Sequence, residues 1–381
     1  MSVILTLNAG SSSVKFALYE AASLGERARG QVERIGANAH LEFSIAGERF
    51  ERDVEAGDHA QALQHILAAA REALGGDPVI GVGHRIVHGG LHFVAPCVLN
   101  QQVLDELEAL DPLAPLHQPH NLACARAAAG VFPGAIEIGC FDTAFHRGQP
   151  FESEAFALPL HFYHEGVRRY GFHGLSYDYV SGELARIAPD IAQGRVVIAH
   201  LGNGASMCGL KDGKSFTSTM GFSALEGLPM GTRCGEIDPG VLLYLMDARN
   251  MSAVEITRML YRESGLLGLS GISHDMRALE QSAAPEARQA ISYFIMRCRR
   301  ELGALAAMIG GLDALVFTAG IGEHAANVRA GICETMDWLG LAVDAEKNAA
   351  SARRIEAGAV PVFVIPTNEE LVIARAVKAA L

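Results

Sequence analysis

The stretch Val3-Ile4-Leu5-Thr6-Leu7-Asn8-Ala9-Gly10-Ser11-Ser12-Ser13-Val14-Lys15-Phe16-Ala17-Leu18-Tyr19 decides the fold, because its arrangement returns downstream as Val196-Val197-Ile198-Ala199-His200-Leu201-Gly202-Asn203-Gly204-Ala205-Ser206. Each copy reads as an apolar strand, a turn of small residues and a second strand. In the first copy Val14, Phe16 and Leu18 share one face while Lys15, Ala17 and Tyr19 share the other, the period of two of a β-strand. Turns of glycine and serine let backbone N–H groups converge on an anion. Two such turns predict two similar domains facing one polyphosphate between them, the layout of a nucleotide-splitting cleft.

Composition limits what such a chain can do. Half of its 381 residues are hydrophobic and only 19% are charged, which predicts substantial cores rather than disorder, with two or three domains for this length. The formal net charge of −12 disfavours nucleic acid and anionic membranes as partners, since both demand a basic face. An anionic substrate must then be met by locally placed cations. No apolar run reaches the length of a membrane span and Met1-Ser2-Val3 lacks a basic leader, so a soluble, cytoplasmic protein is expected. Seven scattered cysteines without a C-x-x-C pair read as reduced structural thiols. His84, His88 and His92 would share a helical face, but Gly81, Gly83, Gly89 and Gly90 make that segment a poor helix, and strand or loop geometry would scatter the rings away from a common zinc.

Outward from the first hairpin, Gln31 to Asp53 alternates in short runs that fit further strands, so the first sheet begins antiparallel. His59 to Leu74 carries apolar residues at helical spacing and ends at Gly75-Gly76. Val79 to Val87 returns to strand, Gln101 to Leu110 and Asn121 to Ala129 read as helices, and Ile136 to Phe141 is a buried strand ending at Asp142. Past loop signals from Arg147 to Gly174, the second hairpin precedes helices at Pro239 to Arg249 and Ala287 to Ile309. A strand at Leu315 to Thr318 empties into Ala319-Gly320-Ile321-Gly322-Glu323-His324. The last strand, Val360 to Ile365, leads to Thr367-Asn368-Glu369-Glu370, read as a capping box opening the final helix. Strands followed by alternating helices, in two halves, describe a duplicated α/β fold. The expected domains are 1–146 with 370–381, and 147–369.

At Asn8-Ala9-Gly10-Ser11-Ser12-Ser13-Val14-Lys15, Gly83-His84-Arg85-Ile86-Val87-His88-Gly89-Gly90, Arg169-Tyr170-Gly171-Phe172-His173-Gly174, His200-Leu201-Gly202-Asn203-Gly204 and Met230-Gly231-Thr232-Arg233-Cys234-Gly235, the chain resembles the acetate kinase family. Thr318-Ala319-Gly320-Ile321-Gly322-Glu323 and Pro366-Thr367-Asn368-Glu369-Glu370-Leu371 carry the resemblance to the C-terminus in the family's order. It implies two duplicated ribonuclease H-like, actin-like ATPase domains with the active site in the cleft between them. It further implies a homodimer that reversibly phosphorylates acetate with ATP and Mg²⁺, Mn²⁺ serving as substitute.

The same resemblance implies residue roles. Arg85 would hold the acyl substrate within apolar walls of Val87, Leu116 and Phe172, while His173 and Arg233 stabilise the transition state beside the catalytic Asp142. Arginine suits such a clamp because its planar fork binds carboxylate or phosphate through two hydrogen bonds. Asn8 and Glu369 would be the Mg²⁺ positions, a donor pair of amide and carboxylate oxygen that suits this ion. Glu369 is equally explained by helix N-terminal electrostatics. The implied nucleotide contacts are Ser11, Ser13, Lys15, the second phosphate loop His200, Leu201, Gly202, Asn203 and Gly204, then Asp275, Met276 and Arg277, and the adenosine-side turn Gly320, Ile321, Gly322, Glu323 and His324. Lys15 either reaches phosphate or merely snorkels.

Physical chemistry adds a caution about Asp142. A carboxylic acid acceptor is already ionised at neutral pH, so Asp142 orients rather than acts as a base, or caps the segment beginning at Thr143. Departures from the family pattern occur at Ala224, often proline, at His324, often asparagine, and at Tyr177, often histidine. They bear on acyl preference, nucleotide affinity and the surroundings of Tyr177 but not on the phosphoryl clamp; the alternatives are a propionate or butyrate kinase and, from another class, an actin-like or chaperone-like nucleotide switch.

Overall fold

In the computed structural model, residues 2–10, 13–36, 38–115 and 117–381 are described, so the expected site residues Ser11 and Leu116 lie outside the described residues. The chain divides into two units, Met1–Phe145 with Asn368–Leu381, and His146–Thr367.

The first unit is built on β1 (Val3–Ala9) and β2 (Val14–Glu20), paired antiparallel with Asn8 opposite Lys15. They continue through β3 (Glu26–Glu33), β4 (His40–Ile45) and β5 (Glu48–Asp53) on one side. On the other stand β6 (Val79–Ile86), β7 (Cys97–Val98) and β8 (Ile136–Phe141), giving the order β5-β4-β3-β2-β1-β6-β8-β7 with β6 and β8 parallel to β1. β1 is buried at every position, which is why it reads as one apolar run rather than an alternation. Val3, Leu5, Leu7 and Ala9 enter the core formed with Leu63, Ile66 and Leu67 of the helix His59–Leu74. That helix is capped as expected, Asp58 accepting from the Gln61 N–H at 2.8 Å and Gly75 taking φ 56°.

The opposite face of β1 meets the C-terminal helix Glu369–Ala380. Two glycines of β6 let it approach: a Cβ on Gly83 would stand 2.3 Å from Ile373 Cγ2, and one on Gly81 2.4 Å from Val377 Cγ1. The expected capping box is not formed there. Asn368 is the cap, accepting from the Leu371 N–H at 3.1 Å, while Thr367 Oγ1 makes no such bond and the Thr367 N–H binds Glu323 Oε1. Asparagine sits one position nearer the helix, so it takes the role predicted for threonine.

The second unit repeats the plan. Its strands are β9 (Arg195–Leu201), β10 (Ala205–Lys211), β11 (Lys214–Ser218), β12 (Ala314–Thr318) and β13 (Val362–Val364), in the order β11-β10-β9-β12-β13. Antiparallel β11-β10-β9 followed by parallel β9-β12-β13 reproduces β3-β2-β1-β6-β8, and this shared pairing is the structural mark of duplication. The helix Pro285–Ile309 buries Phe294, Cys298, Leu302, Leu305 and Ile309 on one stripe. Helix ends differ from expectation by a few residues, as at Gln118–Val131 and Pro239–Asp247. Among the described residues no helix is long and apolar enough to cross a membrane.

Candidate active site

In the first unit the parallel strands deliver polar groups to their C-terminal ends. Arg85 leaves the end of β6, and Asp142 follows β8 with its N–H on the Ile86 carbonyl at 3.0 Å. Arg85 Nε donates to Asp142 Oδ1 at 3.0 Å and Nη2 to Oδ2 at 2.5 Å, so the planar fork expected to meet the acyl substrate is taken here by Asp142. Its Nη1 donates to Asn8 Oδ1 at 3.0 Å, and Asn8 Nδ2 donates to Glu369 Oε2 at 3.2 Å. The result is one hydrogen-bonded line, Asp142–Arg85–Asn8–Glu369. Burial pushes the Asp142 carboxyl above its ordinary value, against the pull of Arg85. For Arg85, burial opposes the charge but Asp142 and Glu369 outweigh it, so its guanidinium stays above the ordinary value.

This line bears on two expected roles. Both Asp142 oxygens bind Arg85, so the side chain anchors the arginine rather than capping the segment at Thr143, whose Oγ1 accepts instead from the Gly89 N–H. Asn8 and Glu369 stand side by side, Asn8 turning Nδ2 to Glu369 and Oδ1 to Arg85; their amide and carboxylate oxygens are hard donors of the kind Mg²⁺ takes, so the residue types fit that ion. Lys15 is exposed and stands opposite Asn8 in the hairpin, on the same face. In the turn, the Gly10 N–H is taken by the Ser13 carbonyl at 2.7 Å. Val87 is buried and its N–H donates to Asn121 Oδ1, while Asn121 Nδ2 donates to the Ala9 carbonyl at 2.6 Å. Asn121 thus ties the end of β6 to the end of β1, a role that nothing in its helical sequence context signalled.

The second unit gathers a different set. His200 lies near the end of β9, and the turn Gly202–Gly204 closes through the Gly202 N–H on the Gly204 carbonyl at 3.0 Å. His173 occupies φ 58° just before the helix Gly174–Ile187 and stacks on His200 with ring centres 4.2 Å apart. Its Nδ1 lies 2.8 Å from Ser206 Oγ, and His200 Nδ1 lies 2.8 Å from Ser176 Oγ. Phe172 is fully buried in this unit, its carbonyl accepting from His146 Nε2 at 2.9 Å. Burial brings His146 down to about 4, with Arg147 acting in the same direction and the Phe172 carbonyl opposing. Arg233 Nη1 donates to the Ala224 carbonyl at 2.9 Å, from a loop held by the Met230 N–H on the Arg233 carbonyl.

The residues expected on the adenosine side are held by a side chain that no motif in the sequence singles out. Gly320–His324 is not an open turn but lies within the short helix Ala319–His324, entered through Ala319 at φ 65°. Arg329 is fully buried beneath it, donating from Nη1 to the Gly322 carbonyl at 2.9 Å, from Nε to Asn348 Oδ1 and from Nη2 to Ser351 Oγ. Ser351 Oγ in turn donates to the Glu323 carbonyl at 2.9 Å. A lone arginine in a helix reads as surface, so only packing reveals it. Asp275 caps the helix Met276–Gln281 and pairs with the exposed Arg277, whose hydrogen bonds hold the carboxyl below its ordinary value, while Met276 is buried. His84 and His88 have separate partners, Glu137 Oε2 at 2.5 Å and the Gly90 N–H at 2.9 Å, because a strand and a loop carry them.

Comparison with known proteins places these features. The acetokinase family model matches residues 3–375. The acetate kinase of Methylocella silvestris is 52% identical over 388 residues, covering 98% of this chain and 96% of that protein. The crystal structure of Porphyromonas gingivalis acetate kinase superposes with a TM-score of 0.88 at 37% identity, covering 100% of this chain and 99% of that one. A propionate kinase from Francisella tularensis gives a TM-score of 0.91 at 38% identity, with 99% of each chain covered. With two sheets of shared topology, an actin-like ATPase fold and a match along nearly its whole length, the chain belongs to the acetokinase family.

Proposed function

We propose that this enzyme transfers the γ-phosphoryl group of ATP reversibly to acetate, in line, giving acetyl phosphate and ADP. The observation that carries the reading is the Asp142–Arg85–Asn8–Glu369 line, which fixes a forked cation beside a metal-type donor pair. Phosphoryl transfer needs positioning and charge neutralisation far more than covalent help. Arg85 binds the acceptor carboxylate through the remaining N–H of Nη1 and of Nη2, while Asp142 takes the Nε–Nη2 fork and Asn8 the other Nη1 N–H, fixing the guanidinium. The acceptor is ionised at neutral pH, so no general base is required. Asn8 and Glu369 would hold Mg²⁺, or Mn²⁺ in its place, and the bound ion supplies charge neutralisation at the phosphoryl oxygens. His173 and Arg233 donate to the transferred group. Ser13, Lys15 and the turn at Gly202–Gly204 bind phosphate, and the residues at Asp275–Arg277 and Gly320–His324 bind the nucleoside.

The enzyme is further proposed to be a cytoplasmic homodimer. The helix Pro239–Asp247 supports a second copy, since Val241, Leu243, Tyr244 and Met246 are all exposed and no residue of it is buried. Dissociation of Leu243→Glu in sedimentation, with the wild type remaining dimeric, tests it.

A second acceptor remains in play because one solved neighbour is a propionate kinase, and an extra methylene alters discrimination by only about 1–3 kcal/mol. Acyl phosphate trapped as hydroxamate across acetate, propionate and butyrate decides between them. A kcat/KM maximum at acetate supports the reading, a maximum at propionate shifts the substrate, and ADP release without any acyl phosphate replaces the kinase with a nucleotide switch.

A further inference from the structure

The departure at Tyr177 acquires a role in three dimensions. Tyr177 lies one helical turn beyond His173, its N–H on the His173 carbonyl at 3.0 Å, and this returns the phenol toward β10. There its hydroxyl lies 2.5 Å from Ser206 Oγ, which lies 2.8 Å from His173 Nδ1. Tyr177 and Ser206 are fully buried. On the far side of the imidazole, a Cβ added to Gly204 would stand 3.1 Å from His173 Nε2, so this nitrogen rests against the second phosphate turn. His200, stacked at 4.2 Å and itself fixed to Ser176, prevents the ring from tilting away.

We propose that Tyr177 and Ser206 form a two-hydroxyl relay that holds His173 as the tautomer with its proton on Nε2, aimed at the phosphate turn. Each hydroxyl has one proton to give. A phenol is more acidic than an alcohol and is the better donor, and burial, reinforced by Cys208, keeps this phenol protonated. Tyr177 therefore donates to Ser206, and Ser206 donates its single proton to His173 Nδ1. A neutral imidazole accepting at Nδ1 carries its proton on Nε2, where it meets charge that grows on the phosphoryl oxygens during transfer. Tyr177 and Ser206 are positioning residues, acting through His173. The proposal rests on the reading that His173 donates to the transferred group, and deepens it.

Nitrogen-15 NMR of histidine-labelled enzyme tests the relay, the His173 signals being identified by their loss in His173→Gln. In the wild type Nε2 is expected to be protonated and Nδ1 unprotonated, and the reverse pattern overturns the relay without any variant. Tyr177→Phe preserves the ring and should mix the two tautomers, lowering kcat about 10-fold while both KM values stay within about two-fold, the signature of an interaction made in the transition state. Ser206→Ala removes the Nδ1 partner and should lower kcat about 100-fold. A collapse of kcat in His173→Gln together with an unmoved tautomer and kcat in Tyr177→Phe overturns the relay alone. An unchanged kcat in His173→Gln overturns the role of His173, and the proposal with it.

Discussion

The two hairpins occupy equivalent places in the two units, yet they are furnished for different work. Asn8 stands opposite Lys15 in β1–β2, and His200 stands opposite Ser206 in β9–β10, each pair one step before its turn. Asn8 of the first pair joins a line of charged groups ending in Asp142 and Glu369. The second joins stacked imidazoles and hydroxyls. Duplication thus supplies one backbone frame twice, and the side chains around matched positions differ: an ion pair, an amide and a carboxylate in one unit, imidazoles and hydroxyls in the other. A buried charged line is rigid because each member is costly to leave alone, whereas a neutral network depends on the direction of each proton.

Breaking the charged line should give the largest effect. Arg85→Ala is expected to raise the acyl-substrate KM and lower kcat/KM by about 10³-fold, while nucleotide binding measured by calorimetry persists. It also strands buried Asp142, so unfolding should be easier by about 3–5 kcal/mol in urea. Equal loss of both affinities would assign Arg85 to structure alone.

Arg329→Met sharpens the comparison on the second unit. Removing the buried guanidinium releases the Gly322 carbonyl and Asn348, which should lower stability by about 3 kcal/mol and raise the ATP KM without changing the acetate KM.

The buried His146 of the second unit predicts a pH response. His146 titrates near 6.5 when unfolded and about 4 when folded, so between these values the unfolded chain binds more protons. Its contribution is intact above pH 6.5 and is lost as pH falls toward 4, by about 3 kcal/mol in all. Urea melts at pH 7 and 5 should show roughly 2 kcal/mol of this loss in the wild type, and His146→Gln should show less of it.

Smaller changes probe how each frame is assembled. Gly83→Ala drives a methyl into Ile373 and should cost about 1–3 kcal/mol in thermal unfolding, with weaker Mg²⁺ binding because the displaced helix carries Glu369. Asp275→Asn breaks an exposed pair and should alter stability by no more than about 1 kcal/mol.

Much of this architecture was legible from local pattern. Alternation and small-residue turns located both hairpins, the apolar spacing of His59–Leu74 with its glycine stop located that helix to the residue, and forked arginines within glycine motifs pointed to Arg85. What stayed hidden depends on partners distant in sequence. Asn121 binds the ends of two strands, Arg329 supports a helix through Asn348 and Ser351, and Tyr177 meets Ser206 on another element. Strands, small-residue turns and the arginines within glycine motifs can be read from the chain alone, because these follow from periodicity, backbone freedom and local residue type. Only the tertiary structure decided which carboxylate holds Arg85, which hydroxyl reaches His173 and which arginine is buried, because such choices rest on hydrogen bonds that form only once packing has removed water from both partners.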